Sequence, residues 1–419
     1  MNTTAAAPLA LRAARALLVV VALGAAVSPP AANLAALLAL ACVLAAPGSA
    51  ARLRALLALP AARATLACLA VLAAAMLWSA APWSARFAAW WSWRPLLLVL
   101  AGWLAFAGDA PAQSRFARNL GFAFAACAVL SLLAWAWPEA NPLADRERGI
   151  LLRDHVTQGM AMVAGMVLLV AGLAGAQPRG RVLRYLAIAA LLADVAIVCS
   201  GRSSHVALVV ASVVLALGIA PRAWRARAAG GAALLALAAL LASPMVRDRF
   251  ELAVHEVRTA DDASVPVQGE SSMGLRLAIW RRTASIIADH PLLGVGKGGF
   301  AAEYAARIPP DATGSQAARA KDTHNQYLRV QVEAGIPGTI AFLAMVLSWF
   351  RQRAALPWRA AGLAVLCAWL ATSLFNSHFE TFDAAHLLGV LLGALLAPAA
   401  ALQAGASASS DSARDSTSA

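Results

Sequence analysis

Between Met273 and Gly338 the chain gathers Arg276, Arg281, Arg282, Lys297 and His324 in one polar stretch that runs into an apolar segment. Arginine carries a planar fork of donors that stays charged at any working pH and matches phosphate oxygens two at a time. Histidine titrates near neutrality and can take a proton from a hydroxyl group. Such cations beside a histidine, at the edge of an apolar helix, suit chemistry on an anionic lipid headgroup. Asn325 directly follows the histidine. Three more candidates stand outside this stretch: Arg153 and His155 in L-L-R-D-H-V, and Arg202 in the short turn S-G-R-S-S-H.

The elements that must position these groups are set by composition. The chain has 419 residues, of which 61% are apolar and 13% charged. A soluble domain is roughly 45–50% apolar and about 25% charged, so the chain reads as an all-α integral membrane protein. Spans need about 20 mostly apolar residues each. Twelve segments qualify, near 12–28, 30–47, 62–79, 88–107, 117–137, 157–175, 182–200, 204–220, 229–243, 332–349, 359–376 and 383–401. Their continuous runs of Ala and Leu favour helix over the alternating pattern of a membrane strand. The organisation expected is spans one to nine over 1–243, an extramembrane module over 244–331, spans ten to twelve over 332–402, and a disordered tail over 403–419.

Arginine placement orients this array. One alternate set of loops holds most of them, among them Arg52, Arg54, Arg115, Arg118, Arg179, Arg181, Arg222 and Arg225. The opposite set of short loops holds only Arg86, Arg146, Arg148, Arg153 and Arg202. Both termini are therefore expected in the cytoplasm, with 244–331 facing outward. The net charge of +13 follows from cytoplasmic arginines and gives no reason to expect nucleic acid. None of Cys42, Cys68, Cys127, Cys199 and Cys367 lies in a C-x-x-C spacing, so neither a disulfide framework nor a zinc site is expected.

Within the outward module, helices are expected near 245–258, 274–289 and 299–306. Pro291 ends the second at His290, because the residue before a proline avoids the helical region. Arg276, Trp280 and Ile287 share one face of that helix and Arg281 points elsewhere. Gly294-Val295-Gly296-Lys297-Gly298-Gly299 lacks the phosphate-loop spacing, and reads instead as a turn whose backbone lies close to a neighbouring element. Arg94 and Asp194 fall inside spans, where they pair across helices or mark a polar path. His205, His378 and Glu380 are placed outward, where they could help line a cavity.

The run R-x-x-x-W, D-H-P-L-L-G-V-G-x-G-x-F and H-N-Q-Y-L-x-x-x-x-E-x-G-I-P-G resembles the O-antigen ligases, in a superfamily with O-antigen polymerases and bacterial O-linked oligosaccharyltransferases. The resemblance is sharpest over about 200–345 and extends to the span count. It implies a GT-C-like glycosyltransferase of the Gram-negative inner membrane, with its large loop in the periplasm. Such enzymes move a polysaccharide from undecaprenyl pyrophosphate to a sugar of lipid A-core. The family's essential arginines map onto Arg202 and Arg276 and its histidine, as general base, onto His324. Relatives often carry S-x-S-R where this chain has S-G-R-S-S-H. Arg153, His155, Arg281, Lys297 and Asn325 are further candidates for contact with pyrophosphate or acceptor. No cofactor or metal is expected, since no D-x-D motif occurs. A polymerase, a protein O-oligosaccharyltransferase and a membrane transporter are the competing expectations.

Overall fold

In a computed structural model of the chain, residues 8–140, 147–243, 247–248, 251–252, 254, 273–312 and 314–402 are described. They form helices joined by short turns, and no strand occurs among them beyond an isolated bridge between Ala354 and Pro398. The first half runs α1 (Leu9–Gly24), α2 (Pro29–Ala45), α3 (Ser49–Ala58), α4 (Pro60–Ala74), α5 (Trp83–Trp91), α6 (Leu96–Phe106), α7 (Ala110–Ala136), α8 (His155–Ala171), α9 (Pro178–Ile197), α10 (Arg202–Ile219) and α11 (Arg225–Leu241). There follow α12 (Met273–Asp289), α13 (Phe300–Ala306), α14 (Gly314–Ala317), α15 (Gln326–Arg351), α16 (Trp358–Thr372) and α17 (Phe382–Leu395).

Among the described residues, four helices are by themselves long and apolar enough to cross a bilayer: α7, α10, α15 and the Arg222–Leu241 stretch around α11. A fifth is possible if α2 and α3, bent by 104°, count as one broken span. Large apolar side chains face outward on several helices, as with Leu34, Leu37 and Leu38 on α2, Leu183 and Leu186 on α9, and Leu234 and Leu235 on α11. In water such faces would associate, whereas in lipid they are the solvated surface. The protein is a helical membrane protein.

Small residues set the closest helix contacts. A β-carbon on Gly102 of α6 would stand 2.5 Å from the backbone of Gly393 on α17. This is the close approach that membrane helices use when hydrophobic collapse does not drive their association. The apolar segment expected over 88–107 is divided in two. Residues 92–95 form a turn ending in Pro95 between α5 and α6, and Pro95 has no amide hydrogen to continue a ladder.

In the polar module, α12 and α13 lie within a residue of the helices expected at 274–289 and 299–306. The helix expected over 245–258 falls largely outside the described residues. Leu275, Ile279 and Ile286 of α12 pack with Phe300, Tyr304 and Val332 into a small core separate from the main one.

The G-I-P-G motif breaks α15. Gly335 takes φ 59° and ψ −155° inside the helix, and Pro337 follows two residues later. Glycine is at home in that region, where a side chain is strained. The glycine-rich turn mends the break, since Val295 N–H donates to Val332 O at 2.8 Å and Ile336 N–H to Leu292 O at 3.0 Å. Lys297 N–H donates to Ala75 O at 2.9 Å, and a β-carbon on Gly296 would overlap Ser79. The close backbone approach expected of this turn is what occurs.

Candidate active site

The loop between α16 and α17, residues 373–381, is the hub on which the sequence-derived candidates meet. His324 and Asn325 reach it from the start of α15. Asn325 caps that helix, its side chain accepting from Tyr327 N–H and Leu328 N–H at 3.0 Å each. Its amide then donates to Leu374 O at 3.1 Å, and Gln326 N–H donates to Ser373 O at 2.9 Å.

His324 adopts φ 49°, and among the described residues it is the one non-glycine with positive φ. Such strain persists only where the surroundings over-determine it, and it concentrates at functional sites. Here Asp322 Oδ1 accepts from His324 N–H at 3.2 Å, and Thr323 Oγ1 donates to Asn325 O at 2.7 Å. Asp322 is itself tied to the hub, accepting from Ser377 Oγ at 2.6 Å. Burial would raise the Asp322 carboxyl, but the charge of Arg329, the Ser377 hydroxyl and His324 together hold it below its usual range.

Arg276 approaches from α12. One turn further along, Trp280 donates its indole N–H to Thr323 O at 3.0 Å, and its ring lies 6.4 Å from that of Phe375 in the hub. Arg202 opens α10. The neighbouring Ser203 accepts from Asn376 of the hub at 2.7 Å. The segments bearing Arg202, Arg276 and His324 are therefore all fastened to residues 374–377 or to their direct partners.

Arg153 and His155 flank Asp154, which caps α8 by accepting from Thr157 N–H at 2.7 Å. Arg153 lies 4.0 Å from Asp383 at the start of α17, and Thr157 Oγ1 donates to the same carboxylate. His155 pairs with Glu147 at 3.2 Å and packs against Gly201, so it borders the turn that carries Arg202.

His378 is the hub residue with most bearing on the site. It is 2% exposed, and among the described residues neither ring nitrogen has a hydrogen-bond partner. Burial pushes it down to about 4, with Asp322 and Asp154 opposing that shift and Arg276 reinforcing it. Its ring is therefore held toward the neutral form by burial.

Lys297 is placed differently from the sequence expectation that it contacts substrate. It is 0% exposed, and its ammonium lies 2.7 Å from Glu333 and 3.2 Å from Glu380. Arg329 completes the group, 3.1 Å from Glu333 and 3.5 Å from Glu380. Two cations balance two carboxylates, so Lys297 anchors the glycine-rich turn to the broken helix and to the hub. Arg281 is also apart from the hub, exposed on the far side of α12. Arg94 and Asp194 do not pair: Arg94 donates to Asn33 Oδ1 at 2.9 Å, and Asp194 is buried against Gln158 and Cys199. His205 is buried within α10, 3.2 Å from Val195 O.

Sequence reading missed the four-membered charge group. Its signal was Glu333 in E-x-G-I-P-G, a carboxylate entering an apolar segment, which requires a buried cation. Among the described residues, no three His, Cys, Asp or Glu side chains converge as metal ligands would.

The arrangement is that of a helical membrane protein with a cationic and histidine-bearing site held at the ends of its spans. Residues 187–343 match the family described as O-antigen ligase, which supports membership of the O-antigen ligase/polymerase superfamily. That family implies a glycosyltransferase-like enzyme in O-antigen processing, acting on polysaccharide and lipid substrates. The matched stretch holds Arg202, Arg276 and His324, while the hub lies beyond it. No curated protein matches the chain.

Proposed function

We propose that the protein transfers O-antigen polysaccharide from undecaprenyl pyrophosphate to a sugar hydroxyl of lipid A-core, with inversion, at the periplasmic face of the Gram-negative inner membrane. The twelve-span topology, with both termini cytoplasmic and 244–331 in the periplasm, belongs to this reading, as does the GT-C-like assignment. The observation that carries it is the fastening of the Arg202, Arg276 and His324 segments to one loop.

In this mechanism His324 takes the proton of the acceptor hydroxyl as its oxygen attacks the anomeric carbon. The bond from that carbon to the pyrophosphate oxygen breaks, and the lipid pyrophosphate leaves with the electron pair. Arg276 and Arg202 hold the pyrophosphate oxygens, whose charge grows as the bond opens. Preorganised cations at a developing charge are commonly the largest single contribution to such catalysis, and removing one costs about 3 kcal/mol, roughly a hundredfold in rate. The arginines carry that electrostatic work without a metal. Asn325 sets the backbone that presents His324.

The test is complementation of a ligase-deficient Gram-negative host that makes lipid-linked O-antigen and a matching core, with lipopolysaccharide resolved on a gel. Wild type should restore long-chain lipopolysaccharide, and His324→Ala and Arg276→Ala, at matched membrane levels, should not. Lengthened lipid-linked chains without transfer to lipid A-core would replace the ligase reading with the polymerase one. Full activity in the His324 variant would remove the proposed base.

A further inference from the structure

Five of the chain's 13 tryptophans, Trp78, Trp83, Trp90, Trp91 and Trp93, fall in or beside α5. Tryptophan gathers in this way where a membrane meets water, because its ring is apolar and its indole N–H is polar. Helix α5 is nine residues long, about 14 Å by its rise, whereas the hydrocarbon layer is about 30 Å thick. None of its residues is buried, while α6 beyond the turn is buried along almost its whole length. Trp83, Phe87 and Trp91, spaced by four, form one face and are 60%, 51% and 45% exposed. Their rings are held in place. Phe87 stacks on Trp91 at 5.7 Å, Arg86 lies 4.5 Å over Trp83, and Arg94 lies 5.5 Å over Trp91.

The backbone on either side of α5 restricts its depth. Residues 75–82 before it and 92–95 after it lie outside regular helix, and Leu77, Trp78 and Ala80 are exposed. Irregular backbone facing lipid does not occur within the hydrocarbon layer, because its polar groups would go unsatisfied there. An exposed aromatic face is equally out of place in bulk water, where it would associate. The boundary between the two accommodates both. The same segment is fastened to the site. Trp78 donates its indole N–H to Leu293 O at 3.0 Å, and a β-carbon on Gly298 would stand 2.9 Å from Ala85 O. Ser92 Oγ donates to Glu380 Oε2 of the hub at 3.4 Å, so α5 lies at the hub's end of the bundle.

We propose that α5 is an interfacial anchor. It lies in the membrane plane, with the face of Trp83, Phe87 and Trp91 seated among phospholipid headgroups and the first acyl carbons. An apolar face flanked by arginines suits that layer, where rings meet acyl chains and cations meet phosphate. Through its bonds to the glycine-rich turn and the hub, the anchor holds the site at the level of the lipid phosphates. On the transfer reading above, the pyrophosphate of a membrane-borne donor lies at that same level. The anchor itself follows from the helix, its exposure and its flanking backbone, and does not rest on that reading.

The full chain in vesicles of phosphatidylethanolamine and phosphatidylglycerol tests this without any transfer reaction. Trp83→Cys, Phe87→Cys and Trp91→Cys are each spin-labelled, and depth is read from collisions with oxygen and with a water-soluble nickel chelate. Wild type labelled in parallel gives the background from the native cysteines, and Leu37→Cys on the exposed face of α2 gives a lipid-facing reference. All three α5 labels should share one depth, roughly 5–10 Å below the phosphates. A helix standing along the membrane normal would instead separate positions 83 and 91 by about 12 Å, and that gradient would overturn the proposal. Strong nickel access at all three positions would overturn it too, by placing the face in water. Because each of these labels removes a ring, Ser84→Cys and Ala88→Cys, both exposed and spaced by four, repeat the comparison with every aromatic kept. Failed complementation beside equal depths would remove the ligase reading and leave the anchor. Successful complementation beside a depth gradient would remove the anchor alone.

Discussion

Lys297→Met separates two roles for the one lysine in the glycine-rich turn. Its ammonium is fully enclosed with Glu333, Glu380 and Arg329, all within 3.5 Å of an opposite charge. The four groups sum to zero. Removing the lysine leaves one uncompensated carboxylate in a largely buried site, at a cost of about 3–5 kcal/mol. Pairing the change with Glu333→Gln leaves Arg329 facing Glu380 and restores neutrality. The double variant should therefore be more stable than Lys297→Met alone, with a coupling of roughly 2–3 kcal/mol between the two positions. The assay is unfolding of the full chain in detergent by heat and by SDS titration, run beside donor binding. An unchanged unfolding midpoint for Lys297→Met, with weakened binding of the lipid pyrophosphate, would refute the argument and return Lys297 to substrate contact.

Three further outcomes follow from the geometry. His324→Gly should unfold at or above the wild-type midpoint and His324→Ala about 1 kcal/mol below the glycine variant, because only glycine relaxes at φ 49°; an alanine variant more stable than the glycine one would contradict this. His378 is held down to about 4 against about 6.5 unfolded, so between these pH values the unfolded chain binds the proton and the folded one does not. Its contribution to stability is therefore full above pH 6.5 and falls by roughly 3 kcal/mol as pH drops to 4, and His378→Leu should flatten that part of the profile in thermal unfolding. Gly102→Ala should push α6 from α17 and cost about 1–3 kcal/mol, read in the same assay, whereas Gly175→Ala, in open space, should cost little.

Local signals were legible in the sequence where a single residue decides the outcome. Pro291 ends α12 close to the place its chemistry requires, and the glycine turn lies against a neighbour as its composition implies. The apolar run over 88–107 was read as one helix because hydropathy counts side chains, whereas the division at Pro95 is a matter of backbone hydrogen bonding. Lys297 was read as a contact for pyrophosphate or acceptor, and its ion partners were not foreseen, for the converse reason. Its partners stand 36 and 83 residues away, and pairing across such separations leaves no mark in the local pattern. Arg94 and Asp194 were both visible as intramembrane charges, yet each is satisfied by uncharged neighbours, Asn33 in one case and Gln158 with Cys199 in the other.

The hub explains how His324 can sit outside regular helix and still be held in place. Residues 373–381 are short, but they bond to the start of α15 through Ser373 and Leu374, to Asp322 through Ser377 and to α10 through Asn376. Glu380 adds contacts to Lys297 and Arg329, so the same loop is braced from the glycine turn. Catalysis by fixed charges requires groups that do not reorganise as the reaction proceeds. A loop tied on several sides meets that need, and it also lets His324 remain in a conformation that an unconstrained chain would abandon.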